Sequence, residues 1–127
     1  VTITEYLDSV KERLLTDPHV SAFHITRERA TAIDGYVRAR LTISNNSQLE
    51  FSEYVQHSPD DKIEVVTYSY QWADAEGNLI QRWDNTPHFP DLPDFPHHIH
   101  DGPAGAVRSG QTMSIFAVLD EIAHRLS

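Results

Sequence analysis

From Val20 to Asp84 the chain is a succession of short alternating runs divided by turn residues, and this pattern restricts the fold more than any other feature. Between Tyr36 and Ile43, the apolar residues Val37, Ala39, Leu41 and Ile43 take one side of an extended backbone, and Tyr36, Arg38, Arg40 and Thr42 take the other. Successive side chains of a strand point to opposite faces, so this spacing describes a strand with one buried face. Five such runs are predicted: Val20–Arg29, Tyr36–Ile43, Gln48–Gln56, Lys62–Trp72 and Leu79–Asp84. The breaks hold Asp34-Gly35, Ser44-Asn45-Asn46-Ser47, Ser58-Pro59-Asp60-Asp61 and the stretch from Asp74 to Asn78. These residue types make turns through left-handed backbone, fixed φ or side-chain bonds to the backbone. Connections this short join antiparallel neighbours, so a meander of about five strands is expected.

A sheet with one apolar face needs a cover. Residues 3–15 repeat Ile3, Leu7, Val10 and Leu14 at helical spacing, with Thr2 and Glu5 at the positions of a capping box and Asp17-Pro18 as a stop. Residues 112–126 repeat Ile115, Val118, Leu119, Ile122 and Leu126, with Thr112 as the expected N-cap. The predicted architecture is α+β: an antiparallel meander with the N- and C-terminal helices packed on one face as a two-layer sandwich. The chain has 127 residues, which suits a single domain spanning 1–127.

Composition removes several classes of chemistry. Cysteine is absent, so disulfides, thiolate ligands and cysteine nucleophiles are excluded. No apolar run approaches the roughly 20 residues of a membrane span. No signal-peptide pattern opens the sequence, and Glu5, Asp8, Lys11 and Glu12 interrupt the first apolar positions. A cytoplasmic protein without membrane contact is expected. Ten basic residues against 19 acidic ones give a net charge of −9. That balance opposes non-specific nucleic-acid binding and suits a basic partner. Any RNA contact would need a local basic patch, for which Arg27, Arg29, Arg38 and Arg40 on a predicted hairpin qualify unless Glu28, Glu50 and Glu53 neutralise them.

After Asp84 the periodicity stops until about residue 111, leaving an expected loop of about 25 residues, a length that is usually functional or disordered. Four of the eight histidines lie between His88 and His100, and the segment from Asp84 to Asp101 adds four prolines, four aspartates and no lysine or arginine. In extended backbone His98 and His100 project together and His97 projects the other way. Neutral imidazoles with a carboxylate from Asp84, or with His88, would make a metal site. Without a metal, two imidazoles with different environments divide the roles of general acid and base. A solvated polar loop is the third reading. Arg82 and Asp84 share a strand face, away from Trp83; the pair reads either as an exposed ion pair or as a phosphate clamp with its orienting carboxylate. Tyr68, Tyr70 and Trp72 share a face of the preceding strand, as core or as a stacking platform for bases.

The stretch Tyr68-Ser-Tyr70, the Asp74-Ala-Glu-Gly77-Asn-Leu-Ile turn, Arg82-Trp-Asp84-Asn85-Thr-Pro87-His88 and Phe95-Pro96-His97-His98-Ile-His100 together resemble the TumE toxin family of toxin–antitoxin systems. Two positions depart from that pattern. Ile99 stands where the family usually has lysine, and Phe89 where it often has a second histidine after His88. The resemblance implies a cytoplasmic toxin neutralised by a cognate antitoxin protein, with RNA cleavage as the implied activity. Combined with the histidine cluster, it leads to an expected metal-independent endoribonuclease with no cofactor. One of His88, His98 and His100 takes the 2′-hydroxyl proton and another protonates the leaving 5′-oxygen. Arg82 stabilises the phosphorane-like charge and Asp84 orients an imidazole. Tyr68, Tyr70, Arg38, Arg40 and His97 are the expected substrate-binding residues. The alternatives are a metal-dependent nuclease with His98 and His100 as ligands, and a non-catalytic toxin-like protein that binds a partner.

Overall fold

The computed structural model describes residues 1–87, 89–103 and 105–127. The first helix, α1 (Ile3–Thr16), buries Ile3, Leu7, Val10 and Leu14. The capping box forms as expected: Thr2 Oγ1 accepts from Glu5 N at 3.0 Å, and the Glu5 carboxylate accepts from Thr2 N at 2.9 Å. Five strands follow: β1 (Val20–Ala30), β2 (Asp34–Ile43), β3 (Gln48–His57), β4 (Ile63–Ala73) and β5 (Leu79–Asp84). Each pairs antiparallel with the next.

The meander is longer than the sequence pattern indicates. The segment expected to be a loop contains β6 (His98–Asp101) and β7 (Ala106–Ser109), so the sheet has seven strands in the order β1-β2-β3-β4-β5-β6-β7. Each added strand has four residues and a single central apolar side chain, Ile99 or Val107, too short a run to show an alternation. Gly102 and Gly105, with φ of +52° and +68°, make the turn between them.

The last helix, α2, runs from Ile115 to Leu126 and starts from Ser114, not from Thr112; the Ser114 hydroxyl accepts from Ala117 N at 3.2 Å. What fixes this start is Glu53 of β3, wholly buried on the helix-facing side of the sheet. Its carboxylate accepts from Ile115 N (2.7 Å), Tyr70 OH (2.7 Å) and Tyr6 OH (2.6 Å), tying both helices to two strands. Burial pushes the Glu53 carboxyl up from its ordinary range, against the pull of those three hydrogen bonds.

One core joins Ile3, Leu7, Val10 and Leu14 of α1 to Ile115, Val118, Leu119 and Ile122 of α2 across Leu41, Phe51, Tyr70, Trp72 and Trp83 of the sheet. Each large side chain buried there contributes about 1.5–3 kcal/mol. Both helices therefore cover the same face and leave the opposite face of β2 to β6 open. Among the described residues no helix is long and apolar enough to cross a membrane.

Candidate functional site

The site follows from register. β5 and β6 pair so that Arg82 lies opposite His100 and Asp84 opposite His98. β4 pairs on the other side, with Gln71 opposite Arg82 and Ser69 opposite Asp84. Parity sends Trp83 and Ile99 into the core, so Arg82, Asp84, His98 and His100 form a block of four on the open face.

Asp84 is the centre of this block, only 3% exposed. Its Oδ2 accepts from Arg82 Nε at 2.8 Å and its Oδ1 from the backbone N–H of Thr86 at 3.1 Å. His98 Nε2 approaches Oδ1 to 2.7 Å, and His100 Nε2 lies 3.9 Å from Oδ2. His98 is also buried, at 2%, and its Nδ1 donates to the Pro96 carbonyl at 3.0 Å, which fixes the ring's orientation. The imidazoles of His98 and His100 meet edge to face with centroids 4.9 Å apart.

Burial on a face without helices needs a cover, and Phe89 supplies it. The chain returns over the sheet after β5, and the Phe89 ring meets His98 edge-on at 5.2 Å and His100 at 6.1 Å. Phe89 takes a left-handed φ of +56° to do so. The block thus has two layers. His100 and Arg82 keep side-chain exposures of 25% and 37%, while His98 and Asp84 lie behind them.

Two kinds of chemistry fit this arrangement. An accessible imidazole beside a guanidinium, both braced by a buried carboxylate, suits proton transfer at a phosphodiester. The same groups could also hold a cation: one ligating atom each from Asp84, His98 and His100 lies within 4.8 Å of the others. The His98 Nδ1 bond to a backbone carbonyl is the outer-shell contact that metal-bound histidines commonly make.

The remaining expected residues separate. His88 lies outside the described residues. Tyr68 and Tyr70 are 2% and 0% exposed and stack on each other at 5.2 Å within the core, so neither offers a ring face to a base. The reason is parity with Trp72, which places all three under the helices. Tyr68 OH donates to Gln111 O at 3.1 Å, Tyr70 OH to Glu53, and burial pushes both phenols up. His97 is also on that side. It stacks on Tyr68 at 5.8 Å, its Nδ1 2.8 Å from Tyr68 OH and its Nε2 3.3 Å from Thr112 Oγ1. It borders a cavity of about 660 Å³ that none of the four site residues lines. Arg38 and Arg40 are on the open face as expected, and both donate to Glu50 at 2.8 Å. Glu28 instead pairs with Lys11 of α1.

Sequence reasoning missed Phe89 as a cover and Asn85 as a brace. The Asn85 carboxamide accepts from Tyr68 N (2.9 Å) and donates to Val66 O (2.8 Å), completing the edge of β4 where β5 has ended. Asn85 stands inside the Arg82-Trp-Asp84-Asn85 string, the one signal that pointed to it.

A family model described as Toxin TumE matches residues 10–126. No curated protein and no solved structure matches the chain.

Proposed function

The chain belongs to the TumE toxin family, and on that premise we propose that it is a toxin that cleaves RNA at the Arg82–Asp84–His98–His100 block and is neutralised by a cognate antitoxin protein. The observation that carries this reading is the two-layer arrangement around Asp84. His100 and Arg82 are the members that a phosphodiester can reach. Attack of the 2′-oxygen forms the new P–O bond while the bond to the 5′-oxygen breaks. His100 handles one of the two protons, and His88 of the same segment is the candidate for the other. Arg82 faces the charge that builds on the non-bridging oxygens, held by Asp84 on one side and Gln71 on the other. His98, nearly inaccessible, is a positioning residue that fixes Asp84 and the His100 ring.

Purified protein is expected to leave RNA fragments with cyclic phosphate and 5′-hydroxyl ends. Removing the His100 imidazole should slow cleavage by about 10²–10⁴. Cleavage unaffected in His100→Ala and Arg82→Ala would sink the assignment. A second reading rests on the convergence of Asp84, His98 and His100: a divalent metal held by all three activates water or polarises the phosphate. It predicts co-purifying metal and loss of activity in EDTA, whereas the acid–base reading predicts EDTA-resistant cleavage.

A further inference from the structure

Beside the block, on the same open face, is a cavity of about 230 Å³ lined by Arg38, Glu50, Phe51, Ser52, Ser69, Gln71 and Arg82. The register explains its polarity. Ser52 and Ser69 pair directly across β3 and β4, with Arg38 opposite Ser52 on β2 and Asp84 opposite Ser69 on β5. Strands are about 4.8 Å apart, so the serine pair stands one to two strand spacings from Asp84.

The hydrogen-bond inventory says what would fit there. Both oxygens of Glu50 are taken, one by Arg38 and one by Arg40. The Gln71 oxygen is taken by Arg82 Nη1 at 3.0 Å. What remains unspent is rich in donors: the Gln71 amide N–H groups, further N–H groups of both guanidiniums, and the hydroxyls of Ser52 and Ser69, which can donate or accept and have no side-chain hydrogen bond among the described residues. A base edge presents donors as well as acceptors, and its donors would have to share the Glu50 and Gln71 oxygens with the guanidiniums already bonded to them. A phosphate is all acceptor. Counting Arg40 just outside, three guanidiniums face two carboxylates there, Glu50 and Asp84.

We propose that this cavity is a subsite for a non-scissile phosphate of the RNA chain, adjacent to the one cleaved, with Arg38, Ser52, Ser69 and Gln71 as its donors. Arg82 lies between the two phosphates, and the subsite fixes which linkage reaches His100. The inference rests on the RNA reading of the neighbouring block but is separable from it by binding. The probe is a mixed-sequence 2′-O-methyl RNA oligonucleotide, which cannot undergo 2′-oxygen attack, titrated against the full chain at several salt concentrations. Ser52→Ala/Ser69→Ala and, separately, Arg38→Ala are expected to weaken binding roughly tenfold or more. Arg38→Ala should also reduce the salt slope by about one. Conservative Arg38→Lys should restore the slope more than the affinity. If these variants bind the oligonucleotide as wild type does, or wild type does not bind it, the subsite is overturned. If they weaken binding while wild type leaves ordinary RNA uncut, the subsite stands and the cleavage reading fails. If wild type cleaves through His100 and binding ignores Arg38 and both serines, the cleavage reading stands and the subsite fails.

Discussion

At the scale of single residues, Asp84 decides what its neighbours can do. A carboxylate buried to 3% is tolerated because Arg82, Thr86 N–H and His98 converge on it. Arg82 serves it through Nε while Nη1 holds Gln71, two directions that a planar guanidinium supplies and a lysine ammonium does not. Arg82→Lys should therefore lower the single-turnover rate of RNA cleavage by about 10²–10³, the usual loss for a misplaced transition-state donor. A rate within about threefold of wild type would show that charge alone suffices. Phe89 makes a different prediction. Its ring covers both imidazoles, so Phe89→Ala should open His98 to solvent and speed its reaction with diethylpyrocarbonate relative to His98 in wild type. Equal reactivity would remove Phe89 as the cover.

At the scale of elements, Glu53 holds the layers together. It links α1 through Tyr6, β4 through Tyr70 and the first N–H of α2. Glu53→Ala strips the buried Ile115 N–H of its acceptor, takes the closest acceptor from the Tyr6 and Tyr70 hydroxyls, and should cost about 3 kcal/mol or more in urea unfolding. The pH dependence has a definite sign. Burial raises the folded-state value above the ordinary 4.5, so the folded chain keeps this proton to higher pH than the unfolded chain does. Stability from this group is full below the ordinary value and is lost as pH rises through the folded one. Relative to Glu53→Gln, which stays neutral, wild type should lose stability as pH rises from about 4.5, and a difference flat up to about pH 8 would contradict the raised value. Gly110, just after β7, packs against β6. A Cβ there would lie 3.2 Å from His98 N, so Gly110→Ala presses on the strand that carries both site imidazoles.

The elements also show what the sequence made legible. β1 to β5 and both helices repeat their apolar positions over six or more residues, enough to reveal a period. β6 and β7 do not, and they were hidden although they carry or support half of the site. Parity alone grouped Arg82 with Asp84 and His98 with His100. That the two pairs meet depends on the β5–β6 register, a long-range pairing with no local signature. For Tyr68 and Tyr70 the alternation was clear, but which face the helices cover was not.

At the scale of the whole molecule, the net charge of −9 conceals a division. Arg27, Arg29, Arg38, Arg40 and Arg82 lie on strands of the open face against Asp34, Glu50 and Asp84, whereas the helix side sets Asp120, Glu121, Glu28 and the buried Glu53 against Lys11, Arg13 and Arg125. The proposed RNA contact thus falls on the side with the larger excess of arginine. The central claim is that toxicity resides in the Asp84 block. The most direct measurement is bacterial growth after induced expression of wild type and of Arg82→Ala/His98→Ala, with soluble protein and circular dichroism matched. Wild type should arrest growth and the double variant should not. Equal arrest by both, or no arrest by either, would contradict it.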